Sequence, residues 1–141
     1  MKQPRDYALM LLRKAANDLI AADAILQTGR ALDTVGFHAQ QATEKSLKAI
    51  LSFYGVEYPR THDRAQLLTL VLDFVPQMIE FSDRILPLTP YAIQMRYADE
   101  DLLVERDAVR AFEAAEEVYG FTVRQLGLAY EQPEDWYIHD D

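Results

Sequence analysis

The sequence predicts an all-α fold, an antiparallel bundle of four to five helices. Three observations point to it. Apolar residues recur at three- and four-residue spacing along nearly the whole chain, and no convincing run alternates at period two. Breakers punctuate those runs, at Gly29, Gly55, Pro59, Pro76, Pro90 and Gly127. Half of the 141 residues are hydrophobic, enough to bury one core in a domain of ordinary size without disulfides or metal.

The first helix is expected to start near Pro4, a favoured early-helix residue, and to run to about Thr28, where Gly29 ends it. Tyr7, Leu11, Ala15, Leu19, Ala22 and Leu26 make its apolar stripe. Asp33 or Thr34 is placed to cap the second helix, which continues to about Tyr54 and stops at Gly55. Pro59 then forbids continuation. Thr61 reads as the N-cap of a third helix, with Asp63 complementing the dipole in its first turn. Leu67, Leu68, Val71, Leu72, Phe74 and Val75 bury that helix. Pro76 breaks the pattern or opens a short helix through Met78, Ile79 and Ile85.

Thr89 followed by Pro90 again reads as a cap and first helical residue, starting a short turn that carries Tyr91, Met95, Arg96 and Tyr97. The last long helix is expected over roughly Leu103 to Leu126. It would bury Ala108, Ala111, Phe112, Ala115, Val118, Tyr119 and Val123, with Gly127 closing it. No internal repeat, low-complexity run or domain linker interrupts the chain.

Composition bounds the function. Without cysteine there is no disulfide scaffold, no Cys-ligated zinc and no thiol catalysis. A net charge of -9 and a pI near 4.7 argue against coating nucleic acid by bulk electrostatics, yet leave room for a local basic site. Part of the acidity lies in residues 131–141, read as a solvated tail in which Trp136, Tyr137 and Ile138 are docking candidates. No apolar stretch reaches membrane-spanning length and the N-terminus has no signal-peptide core, so no membrane contact and a cytoplasmic location are expected. The glycines form no phosphate-binding loop, no serine sits in a nucleophile motif, and no metal-ligand spacing is present; no cofactor and no metal are expected.

The second helix is less ordinary. At about 100° per residue, His38, Gln41, Glu44, Lys45, Lys48 and Ser52 gather on one arc, while Ala39, Ala42, Leu47, Ala49, Ile50, Leu51, Phe53 and Tyr54 fill the other side. One reading is a solvated face with Glu44 and Lys48 paired at i, i+4. The other is a polar site, since amides and a histidine join the salt-bridge formers. Asp18 lies on or beside the apolar stripe of the first helix, either exposed at its edge or paired; if paired, Lys45 is the partner to name.

The string Phe37-His-Ala-Gln-Gln-Ala-Thr-Glu-Lys-Ser-Leu-Lys-Ala-Ile-Leu resembles the central helix of bacterial HEPN domain proteins. Gly55, then Pro59-Arg-Thr-His-Asp, then Leu88-Thr-Pro-Tyr and Arg96-Tyr97 follow at similar spacing, and Lys14-Ala-Ala-Asn-Asp-Leu matches the family's first helix. The resemblance covers about residues 5 to 126; the chain is expected to divide into a helical bundle over 1–130 and the acidic tail 131–141. It implies a homodimer encoded beside a small nucleotidyltransferase partner, as in toxin–antitoxin pairs, with nucleotide binding or metal-independent RNA cleavage as proposed roles. By matching positions it makes Lys45, Lys48, His62, Arg96 and Tyr97 the candidates for a nucleotide or anion site, with Asp18, His38, Gln41 and Glu44 as the supporting polar face.

One departure bears on activity. Nuclease members carry an Arg followed after four to six residues by His, a pair suited to charge stabilisation and acid–base chemistry at a phosphodiester. Here Arg96 is followed by Tyr-Ala-Asp-Glu-Asp-Leu-Leu. Catalytic residues are therefore unassigned, with His62 and Arg96 the candidates. The competing role for His62 is a local hydrogen bond at a helix start; for Arg96 it is an ion pair with Asp99, Asp101 or Glu44. Tyr91 and Tyr97 are as well suited to packing as to base stacking. The expectations are a binding module, a nuclease with a non-standard site, or a purely structural dimer.

Overall fold

The computed structural model describes residues 2–86 and 101–128, with side chains of the last helix described from Glu105 onward. The expected Thr89–Pro90 turn with Tyr91, Met95, Arg96 and Tyr97, and the tail 131–141, lie outside the described residues. Those described form helices α1 (Pro4–Thr28), α2 (Asp33–Phe53) and α3 (Arg64–Leu72), a 3-10 turn at Pro76–Phe81, a short α4 (Ser82–Ile85) and α5 (Asp101–Leu126). No strand occurs among them. No described helix is long and apolar enough to cross a membrane.

Local chemistry explains the ends. Asp6 accepts from the Gln3 N–H at 2.8 Å and Pro4 opens α1, where its missing N–H is no loss. Three helices stop on a glycine in the left-handed region, at Gly29 (φ +69°), Gly55 and Gly127. Gly55 (φ +69°) and Gly127 (φ +62°) let the next residue fold back, so that Val56 donates to Leu51 and Leu128 to Val123. The start of α2 differs from expectation. Neither Asp33 nor Thr34 caps it; the chain enters from Leu32, already in helical conformation, and the Thr34 hydroxyl donates to the Ala31 carbonyl at 2.7 Å. The cap of α3 is Asp63, not Thr61. Its carboxylate accepts from the N–H groups of Ala65 and Gln66, while Thr61 Oγ1 accepts from the N–H of Asp63. The carboxylate wins because it reaches the free N–H groups of the first turn.

Helix α2 is the axis of the bundle, packed on α1, α5 and α3. It is buried nearly all round, from Val35, Ala39 and Ala42 on one side to Thr43, Ser46, Leu47, Ile50 and Leu51. Alanines line its seam with α1, where Ala8, Leu12, Ala15, Ala16, Leu19 and Ala22 are buried in turn. The expected stripe holds at Ala15, Leu19 and Ala22, with Leu11 and Leu26 packed against the core, but at its start Ala8 and Leu12 face the core while Tyr7 stays 45% exposed with the Lys2 ammonium over its ring. Small residues on both helices permit close approach, and a bulky Tyr in the seam would hold them apart.

Helix α5 completes the core with Ala108, Ala111, Phe112, Ala115, Val118, Tyr119 and Val123, the seven residues its periodicity selects. Phe74 and Ile79, expected inside, are 40% and 55% exposed. Past the end of α3 the chain turns, which puts Val75 and Met78 in the core; Phe74 instead stacks on Tyr54 with ring centroids 5.2 Å apart. Phe81 against Phe121 and an Arg84–Glu117 ion pair fasten the 3-10 turn and α4 to α5.

Candidate functional site

The polar arc of α2 is not a solvated face. Its residues divide between two clusters, one closed against α1 and one turned toward the start of α3.

The first cluster centres on Asp18. Lys45 Nζ lies 2.5 Å from Asp18 Oδ2, and His38 Nδ1 lies 3.0 Å from Oδ1. The pair expected between Asp18 and Lys45 therefore forms, and His38 joins it. Asp18 is only 13% exposed, so this carboxylate has left most of its water and is compensated by two partners across the α1–α2 seam. Gln41 is half-buried on the same row of α2. The geometry makes Lys45 and His38 a clip between helices, with Lys45 Nζ and His38 Nδ1 committed to Asp18.

The second cluster centres on Glu44, 3% exposed and on a face of α2 that the helical wheel alone assigns to water. It does not pair with Lys48. Instead His62 Nδ1 lies 2.9 Å from its Oε2, and Arg64 Nη1 lies 3.9 Å from its Oε1. Arg64 is itself buried and donates through Nε to the Ile85 carbonyl at 3.2 Å, tying α3 to α4. Burial pushes the Arg64 guanidinium below its ordinary value, while the Glu44 and Asp63 carboxylates act in the opposite sense.

His62 thus does not make the local hydrogen bond expected at a helix start; it reaches back to α2. Its side chain remains 79% exposed, so one ring nitrogen is held and the other is open to solvent. Lys48 lies one turn beyond Glu44, half-buried, with no ion pair among the described residues. Arg96 and Tyr97 lie outside the described residues, as does any pairing of Arg96 with Glu44. Arg64 was not legible as a site residue: an arginine in the first turn of a short helix reads as exposed, and only α4 above it buries it. Among the described residues no group of three or more His, Asp or Glu is placed to hold a metal ion.

A model of the HEPN domain matches residues 8–126, most of the chain. The chain belongs to the HEPN family. The matched span runs from α1 through the last residue of α5, so both polar clusters lie inside the HEPN domain. Over 54 residues the chain is 37% identical to the Methanocaldococcus jannaschii protein named "Putative toxin MJ1304". That stretch covers 38% of this chain and 35% of the relative, so the HEPN chain matches about a third of that protein's length. No solved structure matches it significantly.

Proposed function

We propose that the protein is a toxin-type HEPN binding module, a homodimer in the cytoplasm, that holds a nucleotide or related phosphate-bearing anion beside α2 and docks a small nucleotidyltransferase partner. One observation carries the ligand half of this reading. Lys48 is a half-buried cation without a carboxylate partner among the described residues, whereas Lys45, one turn earlier, is taken by Asp18. A partly desolvated ammonium gains from a bound anion. The family and the name of the archaeal relative support the toxin-type half.

The test is calorimetric titration with AMP. Lys48→Ala is expected to weaken binding about tenfold, the size of one lost charge-assisted hydrogen bond, with helicity and Tm unchanged. Equal affinity in wild type and variant would remove Lys48 from the site. Co-expression with a nucleotidyltransferase encoded in the neighbouring reading frame should give a complex on size exclusion; separate elution of the two would count against the partner.

A second reading, metal-independent RNA cleavage, is favoured by one feature. His62 has its Nδ1 on a buried carboxylate and an open Nε2, the arrangement of an oriented acid–base group. Cleavage of RNA by the purified protein, abolished in His62→Ala, would establish it. Intact RNA across a broad pH range would rule it out.

A further inference from the structure

The Glu44–His62 pair has a property that its members lack singly. Glu44 is buried and fixed, with Oε1 turned to the Arg64 guanidinium and Oε2 to His62 Nδ1. An ionised carboxylate only accepts hydrogen bonds, so Nδ1 carries a proton in this arrangement. The open Nε2 is then an acceptor in the neutral ring and a donor in the charged one. An anion that arrives at Nε2 can be met only by the ring that carries a proton there, since an anion's oxygens accept and do not donate.

The ring touches Glu44, which Arg64 backs from the inside; along the chain the nearest other charges are Arg60 and Asp63 beside His62, and Lys48 one turn beyond Glu44 on α2. Asp63 is committed to the N–H groups of Ala65 and Gln66. Glu44 faces Arg64 on its inner side. Lys48, one turn beyond Glu44, and a protonated His62 would present two positive charges, while Asp18, the α1 carboxylate that meets α2, is held by Lys45 and His38.

We propose that His62 is a ligand-binding residue that takes up a proton as a phosphate binds, with Glu44 as its positioning residue, and that the site therefore prefers a dianionic terminal phosphate to a singly charged phosphodiester. This rests on the reading of the Lys48 region as an anion site and names the class of anion. The proton passes from buffer to Nε2, and Nε2–H donates to a phosphate oxygen; no covalent bond changes. Glu44 sets the ring's orientation, and Lys48 supplies the second charge.

The experiment is titration of the full chain with AMP and with cyclic 3′,5′-AMP, near pH 7.5, in two buffers of different ionisation enthalpy. Wild type should bind AMP at least tenfold more tightly than the cyclic diester, and the apparent binding heat should shift between buffers by an amount that corresponds to proton uptake. His62→Gln, at an exposed position that leaves the core untouched, should bind AMP more weakly with heats independent of buffer. Lys48→Ala should weaken binding while the uptake persists. In ring-nitrogen NMR, His62 should move to the charged-ring pattern as AMP is added, and Glu44→Gln should reduce that movement.

The outcomes separate the two ideas. Wild-type binding without buffer dependence, or with equal affinity for monoester and diester, overturns the proton-coupled site and leaves the Lys48 reading standing. Absence of phosphate binding in wild type overturns both.

Discussion

Glu44 and His62 stand eighteen residues apart and meet at 2.9 Å, the carboxylate buried and the imidazole in water. This contact links the middle of α2 to the loop before α3, and Arg64 backs it from the inside at 3.9 Å. A buried carboxylate placed between a cation and an imidazole is a structural element as well as a candidate site, so its removal should be felt in stability first. Glu44→Ala leaves Arg64 buried without that opposing charge, and breaking such a pair typically costs about 3 kcal/mol or more. Chemical denaturation should show a loss of that order for Glu44→Ala and a smaller one for Glu44→Gln. A loss under about 1 kcal/mol in the Ala variant would mean that the cluster relaxes to water.

The Asp18 cluster makes a milder demand. Its carboxylate is 13% exposed while Lys45 and His38 are each 26% exposed, between the surface and buried limits. Asp18→Ala is therefore expected to cost about 1–2 kcal/mol. A double-mutant cycle with Lys45→Met should return a coupling near 1 kcal/mol. A coupling indistinguishable from zero would make the clip a bystander.

At the start of α3 the two candidate caps can be told apart. Asp63→Ala removes the acceptor for two backbone N–H groups and should cost about 1 kcal/mol. Thr61→Ala removes one acceptor outside the helix and should cost about 0.5 kcal/mol. The reverse order in urea midpoints would return the cap to Thr61.

Thr43 offers a test of the opposite sign. It is fully buried on α2, and its Oγ1 has no hydrogen-bond partner among the described residues. Ser46 and Thr122, equally buried, donate to the carbonyls of Ala42 and Val118. Thr43→Val keeps the shape and deletes the hydroxyl, so it should be neutral or stabilise by up to about 1 kcal/mol. A clear loss of Tm would show that the hydroxyl has a partner.

Much of the bundle is legible in the sequence. Pro4, Gly29, Gly55 and Gly127 bound their helices as expected, and all seven core positions of α5 follow from its periodicity. These signals act within one or two turns, so one sequence carries them in full. The errors were errors of neighbourhood. Tyr7 and Phe74 are apolar enough to be buried, but α2 decides that Ala8 is buried in place of Tyr7, and the turn after α3 leaves Phe74 outside while Val75 goes in as expected. Asp63 outcompeted Thr61 on reach, a matter of geometry at a single residue.

For the candidate site the division is sharper. By itself the sequence determined the helices, their apolar faces and the polar row His38, Gln41, Glu44, Lys45, Lys48 on α2, because a helical repeat depends only on residues three and four apart. It also carried the HEPN resemblance that the family match shows. Only the tertiary structure decided what each polar group meets. Lys45 joins Asp18 from 27 positions away, Glu44 turns inward to Arg64 and His62, and Lys48 is left without an ion pair among the described residues. Those outcomes depend on how α1, α3 and α4 pack around α2. A carboxylate on a helix has the same local sequence whether a neighbouring helix shields it or water surrounds it, and the low dielectric of the packed bundle makes the two cases differ in energy.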